Sequence, residues 1–227
     1  MVGTVIVGGG KSSRFNGDKI FYKVFDFPLI YYSVFPFLKC KLVDKIVVVL
    51  NREKIHEGKL IFKDFDKVIE IVEGGEERKY SVLNGLLSLK KIGNIDKVLI
   101  HDGARPNIKI ELIEKIVSEI EEEACVIPVV PVIESLKYIQ NKNFIKTLER
   151  EKIFITQTPQ GFPFNKLLYL LKKHINEKLY DDSMVFEKEG LLIKIVDGDI
   201  DNIKVTYKSD ILKVADFIER NENWYRL

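Results

Sequence analysis

Near its start the chain reads Thr4-Val5-Ile6-Val7-Gly8-Gly9-Gly10-Lys11-Ser12-Ser13-Arg14. The apolar residues predict a buried strand, and the glycines that follow let the backbone approach a ligand closely and adopt positive φ values. Consecutive backbone N–H groups in such a turn form a concave site for anions. Arg14 and Lys19 add full positive charges to the same loop. We therefore interpret this loop as a binding site for nucleotide phosphates.

Two common phosphate-binding patterns do not fit this loop. The P-loop pattern G-x-x-x-x-G-K-[ST] would place its first glycine at Val5. The dinucleotide pattern G-x-G-x-x-G would place its third glycine at Ser13, and Asp44 comes too late to be its ribose-binding acid. A nicotinamide-dependent oxidoreductase is therefore disfavoured, while a chance cluster of glycines in a turn stays open as an alternative.

Composition limits the class of protein. The chain has 227 residues, 46% hydrophobic and 31% charged, so we expect one globular domain over residues 1–227. A formal net charge of +2 is too small for a nucleic-acid-binding surface. Cys40 and Cys125 have no disulfide or metal spacing, which indicates reduced thiols. The most apolar window, Phe27–Leu38, is too short to span a membrane, and the chain starts with no signal peptide, so we expect a cytoplasmic protein.

Short apolar runs alternate with amphipathic segments along most of the chain. Several of these runs are β-branched and nearly continuous, as in strands that are covered on both faces. The alternation predicts an α/β fold with a doubly wound, mostly parallel sheet. The predicted strands are Thr4–Gly8, Lys45–Leu50, Val68–Val72, Lys97–His101, Cys125–Val130, Ile153–Gln157 and Leu191–Val196.

A β-hairpin interrupts this alternation. Residues Ser135–Glu149 read as two short strands around the polar turn Gln140–Asn143, and apolar and polar residues alternate along each strand. The hairpin is too small to be stable alone, so its apolar side chains need another surface. We expect a protruding β-arm over about residues 132–152 that packs on the body of the molecule or on a second subunit.

Polar loops follow several predicted strands, at the edge of the sheet where doubly wound folds bind ligands. Four of the seven arginines lie in these loops or at the foot of the hairpin. The arginine fork suits bidentate phosphate contacts, so the clustering favours an anionic ligand. Asp102 could hold a ribose hydroxyl or Mg²⁺, and Asp201 could supply a second metal ligand, although either could simply cap a turn. The three histidines show no metal-ligand spacing and are given no role.

Four segments in order carry a resemblance to a known family. The segments are Gly74-Gly75-Glu76-Glu77-Arg78 with Ser81, His101-Asp102-Gly103-Ala104-Arg105-Pro106, Thr158-Pro159-Gln160-Gly161-Phe162, and Asp201-Asn202-Ile203-Lys204-Val205-Thr206. Over essentially its whole length the chain resembles the 2-C-methyl-D-erythritol 4-phosphate cytidylyltransferases of the non-mevalonate isoprenoid pathway. The ribitol-5-phosphate cytidylyltransferases share this framework and are the nearest alternative. The first loop departs from the usual family pattern, so a non-catalytic nucleotide-binding homologue is a further alternative.

The resemblance implies transfer of a cytidylyl group from CTP to a sugar-alcohol phosphate, with Mg²⁺, in a homodimer whose hairpin reaches the partner's site. It implies catalytic roles for Arg14, Lys19, Arg150 and Lys204. It implies nucleotide contacts from Gly8, Gly9, Gly10, Gly75, Glu76, Arg78, Ser81 and Asp102. Substrate contacts would come from Arg105, Ser135 and Tyr180, and metal contacts from Asp102 and Asp201.

Overall fold

The computed structural model describes residues 1–10 and 14–221. Within these residues the strands are β1 Val2–Val7, β2 Lys23–Val24, β3 Phe27–Pro28, β4 Lys45–Leu50, β5 Val68–Glu73, β6 Lys97–Asp102, β7 Ala124–Pro131, β8 Lys137–Gln140, β9 Asn143–Thr147, β10 Phe154–Thr156, β11 Gln160–Pro163 and β12 Leu192–Asp197. The α-helices are α1 Leu29–Lys39, α2 Ile55–Phe62, α3 Arg78–Ile92, α4 Ile110–Glu119, α5 Phe164–Lys173, α6 Met184–Lys188 and α7 Asp210–Arg220.

The central sheet is mostly parallel, which confirms the predicted fold class. Its strands follow the order β10-β7-β11-β6-β1-β4-β5, and β12 pairs with β7. Strands β1, β4, β5 and β6 run parallel, as do β7 and β12, whereas β10 and β11 are antiparallel to their neighbours. All seven strands predicted from the sequence are present, and no end is shifted by more than two residues. The parallel strands place their carboxyl ends on one edge.

Alternate side chains of the central strands enter two separate cores. Ile6 of β1 and Val48 of β4 belong to the core that contains helices α1, α4 and α7. Val5 and Val47, one residue earlier in each strand, belong to the core that contains α3, α5 and α6. Side chains of a strand point to opposite faces at every step, so a fully apolar strand requires cover on both faces. The continuous apolar runs are therefore explained by a three-layer fold.

The sequence did not predict β11, which lies between β6 and β7. Its four residues, Gln160–Pro163, include a polar side chain, a glycine and a proline, which are unfavourable for a central strand. The glycine is needed because helix α4 packs closely here: a Cβ on Gly161 would lie 2.7 Å from Ile116 Cγ2. Tertiary packing outweighs local propensity at this strand.

Strands β8 and β9 form the predicted hairpin. They pair antiparallel around Asn141 and Lys142, both with positive φ, as a two-residue hairpin turn requires. Every residue of both strands is exposed. Phe144 and Ile139 are 63% and 60% exposed, so the described residues leave these apolar side chains of the arm largely uncovered.

The two cysteines are packed in the interior, as the sequence predicted. Cys40 and Cys125 are buried free thiols. Among the described residues, no helix has both the length and the apolar character needed to cross a membrane.

Candidate active site

A cleft of about 260 Å³ lies at the carboxyl ends of β1, β4, β5 and β6. Strands β1 and β6 are in register, with Val7 opposite Asp102, so both strands end at the cleft. The residues that directly follow these strands hydrogen-bond to the backbones of neighbouring strands. Gly103 N donates to Val7 O at 2.8 Å, and Gly8 N donates to Val49 O at 2.7 Å. The lining residues are Val7, Gly8, Gly9, Gly10, Lys19, Ile20, Asn51, Gly75, Glu76, Glu77, Arg78, Ser81, Asp102, Ala104 and Lys204.

Asp102 is the centre of a charged network on the floor of this cleft. Its Oδ1 lies 3.0 Å from Arg78 Nε, and its Oδ2 lies 2.7 Å from Lys204 Nζ and 3.7 Å from Arg105 Nε. Arg78 also uses Nη1 to contact Asp182 Oδ2 at 2.7 Å. The side chains of the two aspartates are 9% and 3% exposed, so both carboxylates are largely shielded from water, whereas Arg78 and Lys204 are partly exposed.

The network fixes the charge state of its members. Burial alone would raise the pKa of Asp102, but Arg78, Lys204 and Arg105 hold it well below its usual range. Burial also opposes the charge on Arg78, and Asp182 and Asp102 outweigh this effect and raise the pKa of the guanidinium. Asp102 is therefore a carboxylate, able to accept hydrogen bonds or bind a cation, throughout the neutral pH range.

Further cations surround the same carboxylate. Lys19 reaches across from the first loop and donates a 2.8 Å hydrogen bond from Nζ to Val205 O. Burial lowers the pKa of Lys19, the charges of Lys204 and Arg14 lower it further, and Asp102 partly offsets them. An anionic ligand in the cleft would relieve this repulsion, because a negative charge stabilises the protonated amine. The predicted cations Lys19 and Lys204 thus line the same cleft, whereas Arg14 does not line it but lies near enough for its charge to act on Lys19.

The glycine loop is built differently from our expectation. We expected positive φ values at Gly8, Gly9 and Gly10, and this was wrong, because in the described residues the glycines with positive φ are Gly17, Gly93 and Gly190. A Cβ on Gly10 would meet no atom of the described residues within 4 Å, so these residues leave open space at this side of the cleft. Residues 11–13 of the predicted phosphate loop lie outside the described residues.

The loop before α3 is rigidly held. Ser81 Oγ accepts a 3.0 Å hydrogen bond from Gly75 N and donates to Glu77 O at 3.4 Å. A Cβ on Gly75 would lie 2.3 Å from Tyr80 Cβ, so the close turn requires glycine at this position. The loop thus presents backbone groups and the exposed Glu76 to the cleft in a fixed arrangement.

Arg105 lies beneath the cleft. Its side chain is 9% exposed, and Nη1 donates to Asn202 O at 2.8 Å. Asn202 is fully buried, and its Nδ2 donates to Thr158 O at 2.9 Å. Gln157 holds the same loop through both its amide atoms, which bond to the backbone of Asp199. These contacts fix the segment that presents Lys204 to Asp102.

Arg14 and Arg105 do not line the cleft, and four further predicted residues lie away from it. Arg150 and Ser135 are exposed at the arm, and Arg150 Nη1 donates to Ile133 O at 2.8 Å. Tyr180 is 75% exposed. Asp201 lines a separate depression, where its carboxylate oxygens lie 3.6 Å from Lys109 Nζ and from Arg220 Nη2. The expected pairing of Asp201 with Asp102 is therefore absent from the described residues.

The sequence reasoning missed several residues at the cleft. Asn51 directly follows β4, so the rule that ligands bind after strand ends could have identified it. Thr158 belongs to one of the four segments quoted above, and Asp182 lies two residues after Tyr180, but the sequence carries no signal for their contacts with the Asp102 backbone and with Arg78. His101 was given no role, yet it is fully buried next to Asp102.

The residues present fit a magnesium ion that is bound mainly through phosphates. The described residues contain no group of three or more His, Cys, Asp or Glu side chains able to hold a metal ion. Mg²⁺ at nucleotide sites needs only one or two carboxylates, because the phosphates and water supply the other ligands. Asp102 meets this requirement, since it lines the cleft and stays ionised.

The strand-end cleft, with the ionised Asp102 among several cations and a fixed glycine loop, is that of a nucleotidyltransferase. The model of the 2-C-methyl-D-erythritol 4-phosphate cytidylyltransferase family matches residues 2–221, and the chain belongs to this family. It is similar to the enzyme of that name from Dictyoglomus thermophilum, with 36% identity over 96% of each chain. The enzyme of that name from Clostridium kluyveri is 40% identical over 92% of each chain.

A solved structure gives the same result. The 4-diphosphocytidyl-2C-methyl-D-erythritol synthase of Anaerococcus prevotii superposes with a TM-score of 0.84 at 25% identity, covering 97% of this chain and 99% of that one.

Proposed function

We propose that the chain transfers the cytidylyl group of CTP to 2-C-methyl-D-erythritol 4-phosphate, giving 4-diphosphocytidyl-2-C-methyl-D-erythritol and pyrophosphate. The observation that carries this proposal is the cleft itself, in which Arg78 and Lys204 contact the ionised carboxylate of Asp102 and Lys19 lines the same cleft. The relatives are named for methylerythritol phosphate, which favours this acceptor over ribitol 5-phosphate.

The reaction asks the protein for position and charge. An oxygen of the acceptor phosphate attacks the α-phosphorus of CTP, and the bond from that phosphorus to the bridging oxygen breaks, so that pyrophosphate leaves with the electron pair. Such transfers need little covalent chemistry from the protein. Lys19 and Arg14 stabilise the negative charge that develops on the CTP phosphates, and Lys204 holds the acceptor phosphate.

The loop from Gly75 to Ser81 reads the base. Its backbone is fixed by the Ser81 hydroxyl, so its donors and acceptors meet cytosine without rearrangement. A base with the opposite hydrogen-bonding pattern leaves buried groups unpaired and is rejected. Asp102 holds a ribose hydroxyl and would hold Mg²⁺, which when bound neutralises charge on the phosphates.

Pyrophosphate release tests the function directly. We expect release from CTP with methylerythritol phosphate, and at least about tenfold less from UTP, because a mismatched base leaves polar groups unpaired. Ribitol 5-phosphate, used in the same assay, tests the alternative acceptor. Equal use of CTP and UTP would contradict the base-reading role of the loop. No release from CTP with either acceptor would identify a non-catalytic binding homologue.

A homodimer is the second part of the proposal. The exposed apolar side chains of β8 and β9 support it, since an isolated hairpin needs another surface. Arg150 stands outside the cleft that contains Lys204, so Arg150 and Ser135 serve the partner's site. The cytoplasmic location stays a prediction from the sequence.

Mixing two inactive variants tests the shared site. Arg150→Ala and Lys204→Ala chains are inactive alone, but a mixed dimer contains one site with both residues intact. We expect up to about half of normal activity per mixed dimer, as the two-fold symmetry requires. No recovery after verified subunit exchange would place both residues in one chain's site and contradict the proposal.

A further inference from the structure

His101 and Thr158 form a buried contact chain around the turn that carries Asp102. Asp102 N donates to Thr158 Oγ1 at 3.0 Å, and Thr158 Oγ1 lies 3.1 Å from His101 Nδ1. His101 Nε2 lies 3.0 Å from Arg105 O. His101 is fully buried and Thr158 is 6% exposed, so water does not compete for these contacts. The contacts of His101 and Thr158 therefore hold both ends of the turn from Asp102 to Arg105.

The direction of each hydrogen bond follows from the donors and acceptors. The carbonyl of Arg105 can only accept, so His101 Nε2 carries a proton. Thr158 Oγ1 already accepts from the Asp102 amide, and its own proton is free to be donated to His101 Nδ1. This requires a neutral imidazole, and burial lowers the pKa of His101 to about 4, in agreement with the geometry.

We propose that His101 and Thr158 are positioning residues for the transfer reaction, because they fix the turn that aims the Asp102 carboxylate into the cleft. Neither side chain lines the cleft, so they act through Asp102 and not on the substrate. The carboxylate must meet Lys204 and Arg78 at hydrogen-bonding distance, and a displacement of about 1 Å in such a site can cost about 100-fold in rate. This inference rests on the proposed function.

A double-mutant cycle separates this role from a structural one. Thr158→Val removes the hydroxyl and keeps the shape, and we expect it to lower kcat/KM for CTP about tenfold, because the Asp102 amide is left unpaired. Thr158→Ser restores the hydroxyl and should recover most of the loss. In an Asp102→Asn background, Thr158→Val should change kcat/KM by less than about twofold, since residues that act through one another are not additive. A full tenfold loss in both backgrounds would overturn the proposal.

The chain supplies a matched control in Thr4. It is a fully buried threonine whose hydroxyl has no hydrogen-bond partner among the described residues. Thr4→Val should therefore leave kcat/KM within about twofold of the unchanged protein, since no hydrogen bond is lost. A tenfold loss in Thr4→Val would show that any buried threonine produces the effect, and would overturn the proposal.

Nitrogen NMR of the imidazoles gives a readout that does not depend on activity. The chain has 3 histidines, so ¹⁵N-histidine labelling yields a simple spectrum, assigned with His56→Gln and His174→Gln. We expect His101 to be the Nε2–H tautomer. The ¹⁵N chemical shift of its Nδ1 should change in Thr158→Val and should stay the same in Thr4→Val. An Nδ1–H tautomer or an imidazolium at neutral pH would overturn the contact chain. Absence of pyrophosphate release by the unchanged protein would instead refute the proposed function.

Discussion

Replacement of Arg78 by methionine should be the most damaging single change to the charged network. The guanidinium joins Asp102 to Asp182 at 3.0 and 2.7 Å, and both carboxylates are nearly inaccessible to water. Removal of one member of a buried ion pair typically costs about 3–5 kcal/mol. The Arg78 side chain is itself 30% exposed, which admits some water, so we expect a loss of about 2–3 kcal/mol. Methionine keeps the length of the side chain.

Thermal unfolding measures this loss. For a chain of this size, 1 kcal/mol shifts the Tm by about 2–4 °C, so we expect Arg78→Met to unfold about 4–12 °C lower at pH 7. The deficit should shrink as the pH falls. Burial already raises the pKa of Asp182, and without Arg78 it rises further, so the folded variant accepts a proton that the unfolded chain still lacks. Protonation removes the unpaired charge and restores stability on the acid side.

Two further variants decide whether the network is the cause. Arg52→Met removes an exposed arginine from a surface turn and should change stability by less than about 0.5 kcal/mol. Adding Asp182→Asn to Arg78→Met should recover part of the loss, because the stranded charge disappears. If Arg78→Met unfolds at the same temperature as Arg52→Met, the buried network contributes nothing to stability and the reasoning is wrong.

Other perturbations follow from the same contacts. Arg14→Ala and Lys19→Ala should each lower kcat at least about tenfold, because both side chains stabilise the negative charge that develops on the phosphates. The Tm should change little, since neither side chain belongs to the core. Near-normal turnover of Lys19→Ala would mean that another cation serves this role. His174 lies 2.6 Å from Glu177 and from Glu189, which raise its pKa above 6.5. Protonated His174 therefore stabilises the fold fully below about pH 6.5, and this stabilisation is lost as the pH rises through the pKa of the folded state. The difference in Tm between the unchanged protein and His174→Gln should decrease as the pH rises. A constant difference from pH 6 to pH 9 would contradict this.

The strands were predictable where the residues of the segment themselves favour strand structure. Lys45–Leu50 is a continuous β-branched run, and it forms β4 with the expected ends. The short β11 was not predictable, because Gly161 and Pro163 are there for packing and turn geometry. An inserted antiparallel strand has no periodicity of its own at four residues.

The sequence predicted which loops meet at the cleft, but not in which direction their side chains point. The rule that parallel strands end on one edge places Asp102 near the first glycine loop, as found. Asp201 follows the same rule and yet faces Lys109 and Arg220, since a turn residue can point either way. The contacts of Asp182 and Thr158 join residues 56 or more positions apart, and a single sequence carries no signal for such pairs.

The arrangement of charge explains why the fold can hold this site before a ligand binds. Asp102 offsets part of the repulsion among the surrounding cations, and Lys19 is left with a lowered pKa. Asp102 and Asp182 hold these cations in place, but the lowered pKa of Lys19 shows that part of the repulsion remains. The triphosphate of CTP brings further negative charge to these cations, so its binding would relieve the repulsion that lowers the pKa of Lys19. Preorganised charge of this kind needs no rearrangement when the phosphorus is attacked, which is how such sites lower a barrier without a nucleophile of their own.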